Sequence, residues 1–475
     1  MNTRVVIEPV TRVEGHGKVT IHLDDRGNVD QARLHVVEFR GFERFIQGRP
    51  YWEVPVLVQR LCGICPVSHH LAASKAMDYV IGAEKITPTA EKIRRLMHYG
   101  QIYQSHALHF FHLASPDLLF GFDGDVAKRN VIGVAQEYPQ LATQGIMMRR
   151  YGQEIIEATA GKRIHGTGSI PGGVNKNLSI EERDHFLSSI DQQMEWSREA
   201  VKIARDYTLS HLETAAQFAA FDSNHVGLVD ETGTLDLYDG KLKAIDAKGS
   251  VIFQGMDPQD YAEYIAEEVR SWSYMKFPFI RSLGPRKGWY RVGPLARVNL
   301  CERMGTPEAD AAREEFMAVS GGKPNNLSLA YHWARMIELL HCIEMIRNLL
   351  NDPDLQGEDL VVKGEFRGEG VAILEAPRGT LFHHYRVDEN DQVTMANLIV
   401  STTSNNEAMN RAVSDVAEKY LTGREINEGL LNHVEVAIRA YDPCLSCATH
   451  SLGQMPLIVE LVDGHGNVIA RRKKA

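Results

Sequence analysis

The sequence predicts a helix-dominated α+β protein, a long helix bundle carrying small peripheral β-sheets and hairpins. Three observations predict it. Apolar residues recur at helical spacing through most of residues 54–230 and again over 327–352. Short alternating segments bounded by Gly, Asn and Asp occupy residues 1–40, 234–255 and 370–400. No repeat or low-complexity linker divides the 475 residues, so a prior of about three domains competes with one large interwoven body.

The elements follow in order. VVIEPV, HGKVTIHLDD and VDQARLHVVEF read as strands, with the turn Arg26-Gly27-Asn28 between the last two. Thr87 and Pro88 open a helix through Ala114, because proline suits the first helical position. Ser179-Ile180-Glu181-Glu182 is a capping box, and the helical pattern it starts runs to about Phe221. LSLAYHWARMIELLHCIEMIRNLL stops before Asn351-Asp352-Pro353, since proline disfavours helix in its predecessor. Residues 234–255 alternate and turn at Asp239-Gly240 and Lys248-Gly249, and residues 370–400 read as two strands around a turn at 388–392. Beyond His450, PLIVELV and VIARR flank Asp463-Gly464-His465-Gly466-Asn467 as a small hairpin that reads as a separate attachment.

Composition removes several function classes. A net charge of -10 argues against nucleic acid, and the run Arg471 to Lys474 reads as a solvated terminus. No apolar run approaches the roughly 18 residues of a membrane span, and MNTRVVIEPVTRVEGH has no apolar signal segment. These features place the chain in the cytoplasm, where its six cysteines stay reduced.

Four of those cysteines form two C-x-x-C pairs, Cys62 with Cys65 and Cys444 with Cys447. Cys301 and Cys342 stand alone and read as small buried hydrophobes. The pairs lie 379 positions apart, so a site built from both would tie the start of the fold to its end. Spacing alone fits structural zinc, a redox dithiol or a catalytic metal.

The wording around the pairs narrows this. The first stands in RLCGICPVSHH and the second in DPCLSCATH, and TRVEGH, RGFE, GPLAR, EAPRG and Thr402-Thr403 occur between and before them. In this order, over nearly the whole chain, these motifs resemble the large subunit of [NiFe]-hydrogenases. FERFIQGRP, SIPGGVNKNLSI, SYMKFP and DPCLSCATHSLGQMP are similar to the subunit of the soluble, NAD-reducing bidirectional type.

The resemblance implies a nickel ion with an iron that carries CN and CO. Cys62 and Cys444 are then terminal nickel ligands, and Cys65 and Cys447 bridge the two metals. It implies reversible heterolysis of H2, with the proton passing through the Cys444 thiolate to Glu14. Read without the motif, Glu14 is a surface ion-pair residue at a strand end and His69 a satisfied core histidine. With it, His69 tunes sulfur basicity from beside the metals. Arg378 and Thr402 match donors to the cyanide ligands, Pro377 an apolar wall, and Asp117 and Asp442 carboxylate anchors for Arg378. Asp117 in LASPDLL also reads as a helix cap. Arg378 could equally approach the reacting site as a charged or transiently basic group.

One motif departs from the family. Where many relatives carry proline before and tryptophan after the paired threonines, this chain has Ser401-Thr402-Thr403-Ser404-Asn405, which leaves open which hydroxyl faces the iron ligands. Glu43 and His450, with the Leu398 carbonyl, match positions that hold Mg2+ in relatives.

The family also implies a maturation endopeptidase that cuts after His450. Residues 1–450 are then the hydrogenase domain and 451–475 an extension that delays closure of Cys444 and Cys447 on the metals. Two lone cysteines cannot hold an iron–sulfur cluster and no G-x-G-x-x-G is present, so this chain is expected to bind no Fe–S cluster, flavin or NAD. Electrons are expected to leave through an iron–sulfur small subunit to flavin- and iron–sulfur-containing diaphorase subunits that reduce NAD. The rival readings are an H2-sensing regulatory subunit, a metal-free quinone-binding subunit like that of respiratory complex I, and a structural zinc protein.

Overall fold

The computed structural model describes residues 4–39, 41–421, 427–448, 457–462 and 468–474. An N-terminal antiparallel sheet is formed by β1 (Arg4–Ile7), β2 (Gly17–Leu23) and β3 (Val29–Val36), as expected. A mixed sheet joins β4 (Asn224–Val229), β5 (Lys241–Ile245), β6 (Val251–Met256) and the short β7 (Tyr290–Arg291), which pairs parallel to β4. A third sheet, antiparallel in sequence order, comprises β8 (Glu369–Ala376), β9 (Gly379–Val387) and β10 (Val393–Ile399).

The helices that matter for the site are α1 (Pro66–Val80), α2 (Pro88–Leu108), α3 (Pro139–Ala160), α4 (Ile190–Ser210), α5 (Tyr331–Leu350), α6 (Asn406–Leu421) and α7 (Glu428–Ala440). Helix α2 starts as its sequence requires, with the Thr87 side chain accepting from the Ala90 amide and Pro88 in the first turn. It crosses α3 closely because both carry glycine at the contact: a Cβ at Gly152 would lie 2.5 Å from the Gly100 carbonyl oxygen. Helix α5 is buried on nearly every face and packs on α2 and α4.

Three expectations are corrected. The pattern from Ser179 to Phe221 is three helices, Ile180–Leu187, α4 and Leu212–Gln217; the capping box is present, but Ser188 and Ser189 interrupt the helix that it starts. Residues 370–400 hold three strands, because Pro377 and Arg378 make a tight turn inside what reads as one apolar run. The segment from Thr87 to Ala114 changes from α to π winding at His109–Ala114. Helix α3 falls within the helical region expected over residues 54–230, and Pro139 at its start and Gly161 at its end, with φ 80°, mark its bounds in the sequence. Strands Leu457–Val462 and Val468–Lys474 pair antiparallel, giving the expected hairpin beyond His450.

Helix α1 packs against β8 and β9. A buried cluster containing Leu61, Val67, Leu71, Leu374, Leu381, Leu398 and Val400 also contains all four paired cysteines. The fold therefore delivers the two distant pairs to one dry pocket.

Candidate metal centre

Each C-x-x-C pair sits at a helix boundary. Cys65 is the N-cap residue of α1, directly before Pro66. Cys444 follows α7 by a short linker in which Asp442 takes the left-handed φ of 52°, and Cys447 ends a single 3-10 turn. All four thiols are buried, and their sulfurs lie within 4.8 Å of one another. Sγ of Cys444 is 3.2 Å from that of Cys62 and 2.9 Å from that of Cys447, while the Cys65 to Cys447 separation is 3.7 Å.

Such a cluster cannot ionise freely without a cation. Burial works against ionisation of Cys62, but its hydrogen bonds with Cys444, Cys447 and Cys65, with the charge of Arg378, reverse this and hold it well below the usual thiol range. Cys444 and Cys447 are pushed well above it, by burial first and then by their sulfur neighbours. Cys62 is thus driven toward the thiolate while Cys444 and Cys447 are driven toward the thiol, a conflict that a soft divalent metal replacing the protons would relieve.

The N-terminal loop closes one side. Glu14 bridges to Cys444 in parallel fashion: its carbonyl accepts from Leu445 N at 2.9 Å, and its carboxylate Oε2 lies 3.0 Å from Cys444 Sγ and accepts from Ser446 N at 3.1 Å. Gly15, with φ 81°, permits this approach, since a Cβ there would lie 2.7 Å from Ser446 N.

The turn between β8 and β9 closes the other. Arg378, 3% exposed, donates through Nε to the Asp442 carbonyl at 2.6 Å and through Nη2 to the Asp442 carboxylate at 3.1 Å. Its burial works against the charged form, but Asp442 and the neighbouring cysteine sulfurs outweigh this and hold the guanidinium protonated. Among the described residues its Nη1 is buried without a hydrogen-bond partner, and Arg378 lines the same pocket as Cys65, Pro377 and Thr402. A buried unpaired donor beside four thiols calls for an acceptor in the pocket.

A family model described as nickel-dependent hydrogenase matches residues 40–121 and 208–450, and one described as HoxL-like matches residues 4–39. The NAD-reducing hydrogenase HoxS subunit beta of Cupriavidus necator is 49% identical, with all of both chains covered. The chain belongs to the nickel-dependent hydrogenase family. A chain of the F420-non-reducing hydrogenase vhc of Methanococcus voltae is 44% identical over 97% of both chains. A crystal structure of an NAD+-reducing [NiFe]-hydrogenase in the H2-reduced state superposes with a TM-score of 0.93 at 56% identity, covering 94% of this chain and 99% of that one. At 24% identity, the Ni-Fe-Se hydrogenase from D. vulgaris Hildenborough shares the fold alone, with a TM-score of 0.76.

In this hydrogenase Asp117 does not anchor Arg378. Its carboxylate receives Arg12 at 2.8 and 2.5 Å, Arg439 in a shorter contact, and Asn432 at 3.1 Å. Burial pushes Asp117 up, but Arg439 and Arg12 bring it below the usual carboxylate range. Arg12, at the left-handed φ of 54°, also donates to the Leu113 carbonyl of the π-wound segment at 2.8 Å. Asp117 therefore pins the loop that carries Glu14, two residues after Arg12, and Asp442 alone of the two expected carboxylates meets Arg378.

The hydroxyls of Ser401, Thr402 and Thr403 differ in their hydrogen bonds. Ser401 donates its proton to the Gly379 carbonyl at 2.6 Å and Thr403 donates to the Ala448 carbonyl at 3.1 Å. Thr402 instead accepts from Cys444 N at 2.9 Å, which leaves its own proton without an acceptor among the described residues. His69 lines the same pocket as the thiols, and burial depresses its pKa to about 4. Glu43, 4% exposed, accepts from the Leu398 amide at 2.9 Å, so the structure joins these two through the amide rather than the carbonyl. His450 lies outside the described residues. Among them, no helix is long and apolar enough to cross a membrane.

Sequence reasoning assigns nothing to Arg12, Arg439, His383 or Tyr385. Arg12 stands inside the TRVEGH motif, but its partner is 105 positions away. His383 and Tyr385 alternate along one strand, and period-2 spacing could have put both on the pocket side.

Proposed function

We propose that this chain catalyses the reversible heterolytic cleavage of H2 at a nickel–iron centre and passes electrons through an iron–sulfur small subunit to flavin-containing subunits that reduce NAD. The observation that carries the reading is the convergence of four buried thiols with a carboxylate 3.0 Å from one of them. The similarity to NAD-reducing relatives over the full chain supports the partners and the electron acceptor.

Cys62, Cys65, Cys444 and Cys447 would hold the metals, with Cys62 and Cys444 on nickel and Cys65 and Cys447 shared with iron. When bound, the centre supplies the Lewis acidity and redox capacity that polarise H2 and take up its electrons. The chain's own part is acid–base and electrostatic. Cys444 Sγ receives the proton and Glu14 Oε2, in contact with it, carries the proton outward. Arg378 Nη1 and the Thr402 hydroxyl offer donors to CN ligands on the iron, and Pro377 keeps that side apolar and dry. Glu43, the Leu398 carbonyl and His450 are assigned to Mg2+, supported by the approach of Glu43 to Leu398.

Maturation fits the same reading: an endopeptidase cuts after His450, and residues 451–475 leave. Support comes from the nickel-dependent family match, which ends at residue 450. A variant blocked in this cleavage is expected to lack nickel and turnover; full nickel occupancy in the uncut chain refutes this step.

The deciding experiment is elemental analysis of the complex purified anaerobically from nickel-supplied cells, followed by H2-dependent NAD+ reduction. Nickel near one per chain with iron in excess and NAD+ reduction support the proposal. Nickel without NAD+ reduction favours H2 sensing, and zinc alone returns the cysteines to a structural role.

A further inference from the structure

Three buried side chains lie in line behind the thiol cluster. On β9, His383 and Tyr385 point to the same side of the strand, and both are fully buried. His384 between them turns the other way, to Glu369. The Tyr385 hydroxyl is 2.6 Å from His383 Nδ1, and His383 Nε2 is 3.2 Å from His69 Nδ1. The two imidazoles meet with ring centroids 5.4 Å apart. His69 in turn lines the pocket with Cys65, Cys444 and Cys447.

We propose that Tyr385 and His383 are positioning residues that fix the tautomer of His69, so that His69 presents Nε2–H, and not a lone pair, to the thiolates. The assignment follows from counting protons. A buried phenol must donate its O–H, and among the described residues His383 Nδ1 is its only hydrogen-bond partner. That leaves His383 Nδ1 without hydrogen and Nε2 with it. Nε2–H then donates to His69 Nδ1, and the single proton of the neutral His69 ring must sit on Nε2. Reversing the chain strands the Tyr385 proton without an acceptor and leaves His69 with a lone pair, not a donor, in the pocket it lines with Cys65, Cys444 and Cys447. Both changes are unfavourable in a dry pocket.

The device matters because a histidine that donates to a metal-bound thiolate withdraws electron density from it, whereas one that cannot donate does not. Tyr385 is therefore an electronic control at a distance. The inference rests on the nickel–iron reading above, and the test separates the two.

The test is infrared spectroscopy of the CN and CO bands in the anaerobically purified complex, with nickel content measured on the same samples. Tyr385→Phe and His383→Leu are expected to keep nickel and to move the CO band to lower wavenumber, as the sulfurs become better donors to iron. His383→Gln, whose amide can accept from Tyr385 and donate to His69, is expected to leave the band at the wild-type position. A Tyr385→Phe band that coincides with wild type overturns the relay. Loss of nickel in Tyr385→Phe also overturns it, by making the hydroxyl a structural support. Wild-type protein with no CN or CO bands overturns the metal-centre reading beneath it.

Discussion

Replacing Glu14 by glutamine removes a proton acceptor while preserving shape, and the structure sets the size of each effect. The carboxylate makes two contacts, with Ser446 N at 3.1 Å and with Cys444 Sγ at 3.0 Å. An amide oxygen can still accept from Ser446, so the folding cost is one charge-assisted hydrogen bond made neutral, about 1 kcal/mol. The proton leaving Cys444 loses its acceptor altogether. General-base steps contribute about 10²- to 10⁴-fold, so Glu14→Gln is expected to lower H2-dependent NAD+ reduction by that factor, roughly 2.7 to 5.4 kcal/mol of barrier. Nickel content, measured on the same preparation, is expected to match wild type. Turnover within tenfold of wild type at full nickel occupancy refutes the role of Glu14 as acceptor. Loss of nickel along with turnover instead makes the carboxylate a clamp for the turn at Leu445–Cys447.

Asp117→Ala removes the carboxylate that bridges Arg439 and Arg12, leaving Arg439 with Glu435 at 3.1 Å and Arg12 with the Leu113 carbonyl, so it is expected to destabilise the fold by about 3 kcal/mol in denaturant unfolding; Asp117→Asn should lose less. Cys444→Ser is expected to abolish nickel binding while the circular dichroism spectrum stays helical, because the sulfur lies in a core cluster that a hydroxyl of similar size still fills. Stability is expected to fall below neutral pH. Burial holds His70, His98 and His341 neutral, with pKa values near 4 against 6.5 in the unfolded chain, so the unfolded state binds more protons between those limits. Their contribution is intact above pH 6.5 and decreases as pH falls toward 4. One unit below the unfolded pKa each costs about 1.4 kcal/mol. Denaturant midpoints that do not drop between neutral and mildly acid buffer refute this.

The amino-acid sequence by itself picked out the four cysteines that the fold brings together and most of the helices. Cysteines paired as C-x-x-C are rare enough to read as one site even when 379 positions separate the pairs. Prolines and caps such as Thr87-Pro88 and Ser179 act on neighbours in the chain, so their effect is visible without tertiary contacts. Where sequence and structure part, the deciding partner is remote or the signal is a single turn. The sequence pairs Asp117 with Arg378, but a buried carboxylate takes whichever guanidinium the fold delivers, and the packing of α7 against the N-terminal loop delivers Arg439 and Arg12. The turn at Pro377 and Arg378 vanishes inside an apolar run because both flanking strands are buried on both faces and show no alternation. Which hydroxyl keeps a free proton, and which nitrogen of His69 carries one, are questions about hydrogen bonds to Cys444 N, Gly379 and His383. Residue types and spacing name the chemistry a chain can do; only the three-dimensional packing assigns each donor to its acceptor, because burial drives most polar groups to a partner wherever in the sequence it lies.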